Sequence, residues 1–137
     1  MSDYLTNQAL VASFEGLALG LHIAYENRDF DPQELRDSAS WVSLFRLPND
    51  RDSLTKAELD EERGIFQISY YTPSDLGIGS ALETIDTILQ YYKHNRTVSA
   101  GGHDVTIVNS GRAIGQNENG WWRAIISVTY KTYIQRV

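Results

Sequence analysis

The sequence predicts an α+β domain: an antiparallel or mixed β-sheet with two α-helices packed on one face. Three observations lead there. Residues 64–92, GIFQISYYTPSDLGIGSALETIDTILQYY, read as a strand, a Pro/Gly loop and an amphipathic helix. Residues 121–134 alternate in polarity over the longest strand pattern of the chain. Residues 2–20 hold a second helical stripe. Two helices with one apolar side each, set among several strands, bury that side by lying on a sheet.

In chain order, Leu10, Phe14, Leu17 and Leu21 keep the spacing of a first helix, flanked by Val11 and Ala18. Gly16 weakens it by roughly 1 kcal/mol relative to alanine, and Gly20 marks its expected end. Leu21 to Tyr25 reads as a short strand, and Phe30-Asp31-Pro32 as an extended segment, because a residue before proline avoids the helical region. Trp41 to Leu47 forms a second strand ending at Pro48-Asn49-Asp50. Residues 49–63 hold six acids and three bases with few large apolar side chains, the pattern of a solvated loop with a short helical turn around Lys56–Asp60.

The central unit follows. Phe66, Ile68 and Tyr70 fall on one side of a strand, Gln67, Ser69 and Tyr71 on the other, the alternation of a half-buried strand. Pro73 stops the ladder because it has no N–H, and Gly77 and Gly79 permit a reversal. Ser80 with Glu83 has the spacing of a capping box. Ala81, Leu82, Ile85, Ile88, Leu89 and Tyr92 then make a single apolar stripe. Residues 93–102 read as a polar connection and His103 to Val108 as a strand. Ser110-Gly111 and Asn117-Glu118-Asn119-Gly120 are turn signals. In the last strand Trp122, Ala124, Ile126, Val128 and Tyr130 oppose Arg123, Ser127, Thr129 and Lys131. One covered and one more polar face suits an antiparallel sheet.

A chain of 137 residues suits one domain, here residues 1–137, that buries roughly two-thirds of its unfolded surface. With no cysteine, disulfides, thiolate metal sites and cysteine nucleophiles are excluded. No apolar run reaches the ~18 residues of a membrane helix, and MSDYLTNQ lacks the basic start of an export signal, so no membrane partner is expected. Residues 1–62 carry a net charge of −8 and residues 63–137 a net charge of +2. That imbalance argues against simple nucleic-acid binding, which needs a basic patch to neutralise phosphates. It fits ordinary solvation of the surface, or a molecule that meets different partners on different sides.

Enzyme chemistry finds little support. Gly77-Ile78-Gly79-Ser80-Ala81-Leu82 sits where a dinucleotide loop would, but Leu82 replaces the third small residue and the loop after Tyr71 is too long. His22, His94 and His103 form no metal-binding spacing. His103-Asp104 beside Gly101-Gly102 reads as a turn-capping pair rather than an acid–base pair. Asp29-Phe30-Asp31 and Asp50-Arg51-Asp52 lack the glycine and distal glutamate of a calcium loop. No serine has a nucleophile-elbow context. No catalytic residue, cofactor or metal is expected. Trp121 and Tyr71 belong to the outward half of the strand aromatics, where such side chains cover protein interfaces.

Ile23-Ala24-Tyr25-Glu26-Asn27, Phe30-Asp31-Pro32 and Trp41-Val42-Ser43-Leu44 resemble the N-terminal half of tail terminator proteins of long-tailed bacteriophages. Gly64-Ile65-Phe66-Gln67-Ile68-Ser69-Tyr70-Tyr71 with Pro73, Gly77 and Gly79 resembles their central strand and loop. Gly120-Trp121-Trp122-Arg123 leading into Ile125-Ile126-Ser127-Val128-Thr129-Tyr130 is similar to their last strand. The likeness runs from about Leu10 to Tyr130, and residues 49–63 are longer than the pattern needs.

The resemblance implies a structural virion protein without catalysis or cofactor. It would form a homohexameric ring on the tail tube protein, stop tube growth and present a joining surface to the head–tail connector protein. Its place would be the tail–head junction of the virion, and the host cytoplasm during assembly. Subunit contacts in such a ring are heterologous and must close. The acidic residues Asp50, Asp52, Asp60, Glu61 and Glu62 are then expected to face the lumen, where carboxylates let DNA pass without specific binding, or to face the partner ring, the alternative being a solvated loop with no partner. Alternatives are another head–tail neck or adaptor protein, or a small ligand-binding domain or enzyme with a pocket between helix 80–92 and the sheet. The inward positions there are mostly Ile, Leu, Phe, Val and Tyr, which favours a packed core over a pocket.

Overall fold

The alternating strands assemble into one curled, seven-stranded mixed sheet, with both helices on the same face. A computed structural model describes residues 2–25, 40–53, 59–73, 79–113, 115–118 and 120–135. Its elements are α1 (Ser2–Glu15), β1 (His22–Ala24), β2 (Trp41–Ser53), β3 (Leu59–Pro73), α2 (Gly79–Tyr91), β4 (Thr97–Ala100), β5 (His103–Arg112), β6 (Gln116–Glu118) and β7 (Trp121–Gln135). The sheet order is β1-β2-β3-β7-β5-β4, with β6 paired to β7. β1 runs parallel to β2, and every other pair is antiparallel. The α+β expectation is met.

The core lies where period 2 meets period 3.6. Val42, Tyr70 and Ala124 are opposite one another across β2, β3 and β7, as are Leu44, Ile68 and Ile126. All six are buried, together with Phe66, Val128 and Tyr130. Ala9, Leu10 and Phe14 of α1 and Ala81, Ile85, Ile88 and Tyr92 around α2 join the same cluster. Tyr92 ties the layers together: its ring meets Phe66 edge-on at 6.2 Å, and its hydroxyl lies 2.8 Å from Ser13 Oγ on α1. Burial pushes the Tyr92 phenol upward from its ordinary value, and the Ser13 hydrogen bond only partly opposes this.

Several expectations change. The first helix stops at Glu15, not Gly20: the chain tightens through Leu17 N to Phe14 O and Ala18 N to Glu15 O, and Ala18 itself takes a positive φ of 51°. Much of the predicted acidic loop is strand. Arg51, Asp52 and Ser53 pair with Glu62, Glu61 and Asp60, and β3 from Leu59 onward also pairs with the end of β7. Pairing on two sides supplies the backbone hydrogen bonds that a lone charged segment would take from water. Leu59 and Asp60 are therefore extended rather than helical, and the rest of the supposed turn, residues 56–58, lies outside the described residues.

Ser110-Gly111 is not a turn but part of β5, next to a register shift between Ile107 and Asn109. The polar connection contains β4, joined to β5 by Gly101-Gly102 with φ of 56° and 80°. Two left-handed glycines between paired residues make the hairpin turn that matches strand twist. Helix α2 begins at Gly79, so Ser80 lies within its first turn, where its carbonyl accepts from Thr84 Oγ1 at 3.2 Å. The segment Phe30-Asp31-Pro32, the Asp29-Phe30-Asp31 pair and the loop residues 74–78 lie outside the described residues.

Candidate interaction surfaces on the sheet

The helices cover one face of the sheet, and among the described residues no helix covers the other. On that open face Leu47 stands opposite Ile65, which stands opposite Thr129; one step along, Phe45 is opposite Gln67 and Ser127. Phe45, Leu47, Ile65 and Tyr133 are between 36% and 51% exposed. Phe45, Leu47 and Ile65 are neighbours on adjacent strands, so they form a patch rather than scattered single residues. Clustered exposed apolar side chains of this kind mark interaction sites.

The other end of the same face is closed by aromatic stacking. Trp41 lies on Tyr71 with ring centroids 4.0 Å apart and planes 8° from parallel. Trp121 meets Trp41 edge-on at 6.0 Å, and the Arg123 guanidinium sits 5.8 Å from the Tyr71 ring centre. Trp121 does face outward as expected, but it is only 5% exposed. Trp121 is thus enclosed within its own chain beside Trp41, and little of it is left for a partner to touch. Tyr71 is half-buried in the same stack.

The acidic residues divide. Asp50 and Asp52 lie in β2 and Asp60 in β3, but their side chains fall outside the described atoms. Glu61 is held by Arg63, whose Nε donates to its Oε1 at 2.6 Å. Glu62 turns to the helix side and is 3% exposed. There Arg46 Nη1 lies 3.2 Å from Glu62 Oε1 and 3.1 Å from the Tyr130 hydroxyl. Gly64 makes room for this arrangement, since a Cβ there would stand 2.6 Å from the Tyr130 hydroxyl oxygen and 2.9 Å from the Leu47 carbonyl. Glu62 is therefore an internal ion-pair partner, a correction to its grouping with lumen or partner-facing acids.

His103 is also structural. Its Nε2 is 2.9 Å from both Thr6 Oγ1 and Thr132 Oγ1. Thr132 donates its single hydroxyl proton to the Asp104 carbonyl at 2.7 Å, so it accepts from His103. The hydrogen is thereby assigned to Nε2, and the imidazole fastens α1 to β7. Among the described residues no group of three or more His, Asp or Glu is placed to hold a metal ion. The space between α2 and the sheet is filled by Ile85, Ile88, Tyr92 and Phe66. A groove of about 370 Å³ lies elsewhere, between α1 (Asn7, Val11, Glu15) and β2 (Leu44, Phe45, Arg46).

Phe45, Leu47, Ile65 and Tyr133 were not singled out as site residues in the sequence. The usable signal is that the β2 alternation puts Phe45 and Leu47 on the side of Trp41, opposite the buried Val42 and Leu44.

Comparison with known proteins bears on what this surface is for. One solved structure, without a functional description, superposes with a TM-score of 0.76 at 20% identity, covering 96% of each chain, which is a likeness of fold. A comparison with curated proteins found no match. A family model described as phage tail terminator protein matches residues 6–130. The match takes in both helices, the core strands and the open face, and the chain belongs to the phage tail terminator protein family, a family of structural components of phage tails.

Proposed function

We propose that this chain forms a homohexameric ring that caps the tail tube, ends tail polymerisation and offers the surface on which the head–tail connector docks. The observation that carries the reading is the family match over residues 6–130. The open sheet face adds to it, because the patch of Phe45, Leu47 and Ile65 stays wet unless a partner covers it. In this role the protein acts by shape and surface alone. The work is done at the tail–head junction, after assembly in the host cytoplasm.

The acidic hairpin retains a role here in reduced form. Asp50, Asp52, Asp60 and Glu61 line the lumen or meet the adjoining ring, while Glu62 is committed to Arg46. Carboxylates along a lumen repel phosphates and leave DNA free to pass. The test is tail morphology in cells infected with phage lacking the gene. Overlong tubes that fail to join heads, corrected to one length by supplying the protein, are the expected result. Tails of normal length without the protein would overturn the proposal.

A further inference from the structure

Strand β4 forms one edge of the sheet, with β5 on one side and, among the described residues, no strand on the other. Ala100 and His103 close the turn Gly101-Gly102, so they, and likewise Val98 with Val105, exchange the hydrogen bonds of the ladder. The N–H and C=O groups of Thr97 and Ser99 therefore point away from β5. Exposed edges are blunted by lysine, proline or a bulge, and Thr97–Ala100 contains none of these.

The entry to this edge is basic. Lys93, His94 and Arg96 precede β4, and no Asp or Glu occurs from Thr87 to His103. The connection is held in place. Asn95 N donates to Ile107 O at 2.8 Å, His94 Nδ1 donates to Val108 O at 2.7 Å, and the Arg96 guanidinium lies 4.4 Å from the Tyr91 ring centre. Among the described residues no carboxylate pairs with any of the three cations. The end of α2 favours positive charge within a turn of Tyr91, but it does not call for an unpaired strand edge beside that charge.

We infer that β4 is a docking edge for an extended acidic segment of another virion protein. The segment adds a strand beside Thr97–Ala100 and sets its carboxylates against Lys93, His94 and Arg96. This rests on the ring reading and names a contact through which the ring meets its neighbour. Main-chain hydrogen bonds to Thr97 and Ser99 supply the hold, and charge supplies the selection. The acidic hairpin of a second copy does not fit this place. Asp60, Glu61 and Glu62 lie in β3, which has strands on both sides. Asp50 lies in, and Asp52 just past, the irregularity that follows Pro48, and such irregularities blunt an edge.

The probe is a fluorescent peptide of alternating threonine and valine that ends in a run of glutamates. It is compared with the same peptide ending in lysines, and with both in reversed sequence, by anisotropy at low salt. A glutamate peptide, in one direction or the other, is expected to bind at least tenfold more tightly than its lysine counterpart. Ser99→Pro removes an outward N–H without removing a bond to β5, a change that edge strands tolerate. It is expected to weaken binding at least tenfold, whereas Ser99→Ala, which keeps the N–H, leaves binding unchanged. Lys93→Glu is expected to weaken it severalfold. Thermal melts and native mass spectrometry check the fold and assembly of each variant.

No binding of either glutamate peptide, equal binding of the lysine peptides, or binding that Ser99→Pro leaves intact overturns the docking edge. A ring that still forms in that case leaves the ring reading standing. Edge binding by a protein that forms no ring, alone or on tail tubes, supports the docking edge and overturns the ring.

Discussion

The two faces of the sheet are built from the same strands by the same alternation, yet they obey different rules. On the helix side every position of β7 from Ala124 to Thr132 that points inward is buried, and polar groups there are paired: Arg46 with Glu62 and Tyr130, Thr132 with His103 and Asp104. On the open side one end is closed by Trp41, with Tyr71 stacked on it and Trp121 edge-on to it, and the other leaves Phe45, Leu47 and Ile65 wet. Facing outward and being available to a partner are thus separate properties. Cross-strand ring packing makes a small core on a face that no described helix covers.

The largest loss of stability is expected at the internal ion pair. Glu62→Ala removes the Glu62 carboxylate from the buried Arg46 guanidinium beside Tyr130, at an expected cost of about 3–5 kcal/mol in denaturant unfolding. Glu61→Ala, on the opposite face, should cost less than about 1 kcal/mol, as surface pairs do. Equal costs would mean that Glu62 is not internal in solution.

Next in size is the aromatic corner. Trp121→Ala should destabilise the fold by about 3–5 kcal/mol, as a core aromatic does, although the residue faces outward. Ile65→Ser, on the same face, should change stability by no more than about 0.5 kcal/mol while lowering oligomer formation. Thermal melts and sizing of the two variants side by side separate fold from assembly.

A smaller effect belongs to Tyr92. Its folded phenol holds the proton more tightly than the unfolded chain does, chiefly because the ring is buried. The stability this contributes is fully present below the unfolded value of about 10 and is lost as pH rises above it. Melting temperature should therefore fall through strongly alkaline pH, and Tyr92→Phe should flatten that fall. The same variant loses the Ser13 hydrogen bond, worth about 1 kcal/mol at neutral pH.

Much of this was legible in the sequence because it rests on period. The alternation of Phe66, Ile68 and Tyr70, the stripe from Ala81 to Tyr92, and the pattern from Trp122 to Tyr130 each record a burial that the structure repeats. What was hidden depends on distant pairing. Residues 59–63 look like a loop because their charges mask a strand that β2 and β7 hold from both sides. β4 has one buried apolar residue, Val98, too little for periodicity, although Gly101-Gly102 is a hairpin signal in its own right. Glu62 looked like one of five surface acids because its partner, Arg46, is sixteen residues away. Phe45 and Leu47 are apolar in a strand and pass for core until the fold shows which face the helices cover.

The proposed ring makes the open side of this molecule an assembly surface, completed by copies of itself on the end of a tail tube. The most direct test is native mass spectrometry of the purified protein over a range of concentrations, alone and with purified tail tubes. A closed species of six subunits, formed alone or on the tubes, is the expected result. A monomer at every concentration that also ignores the tubes would contradict it.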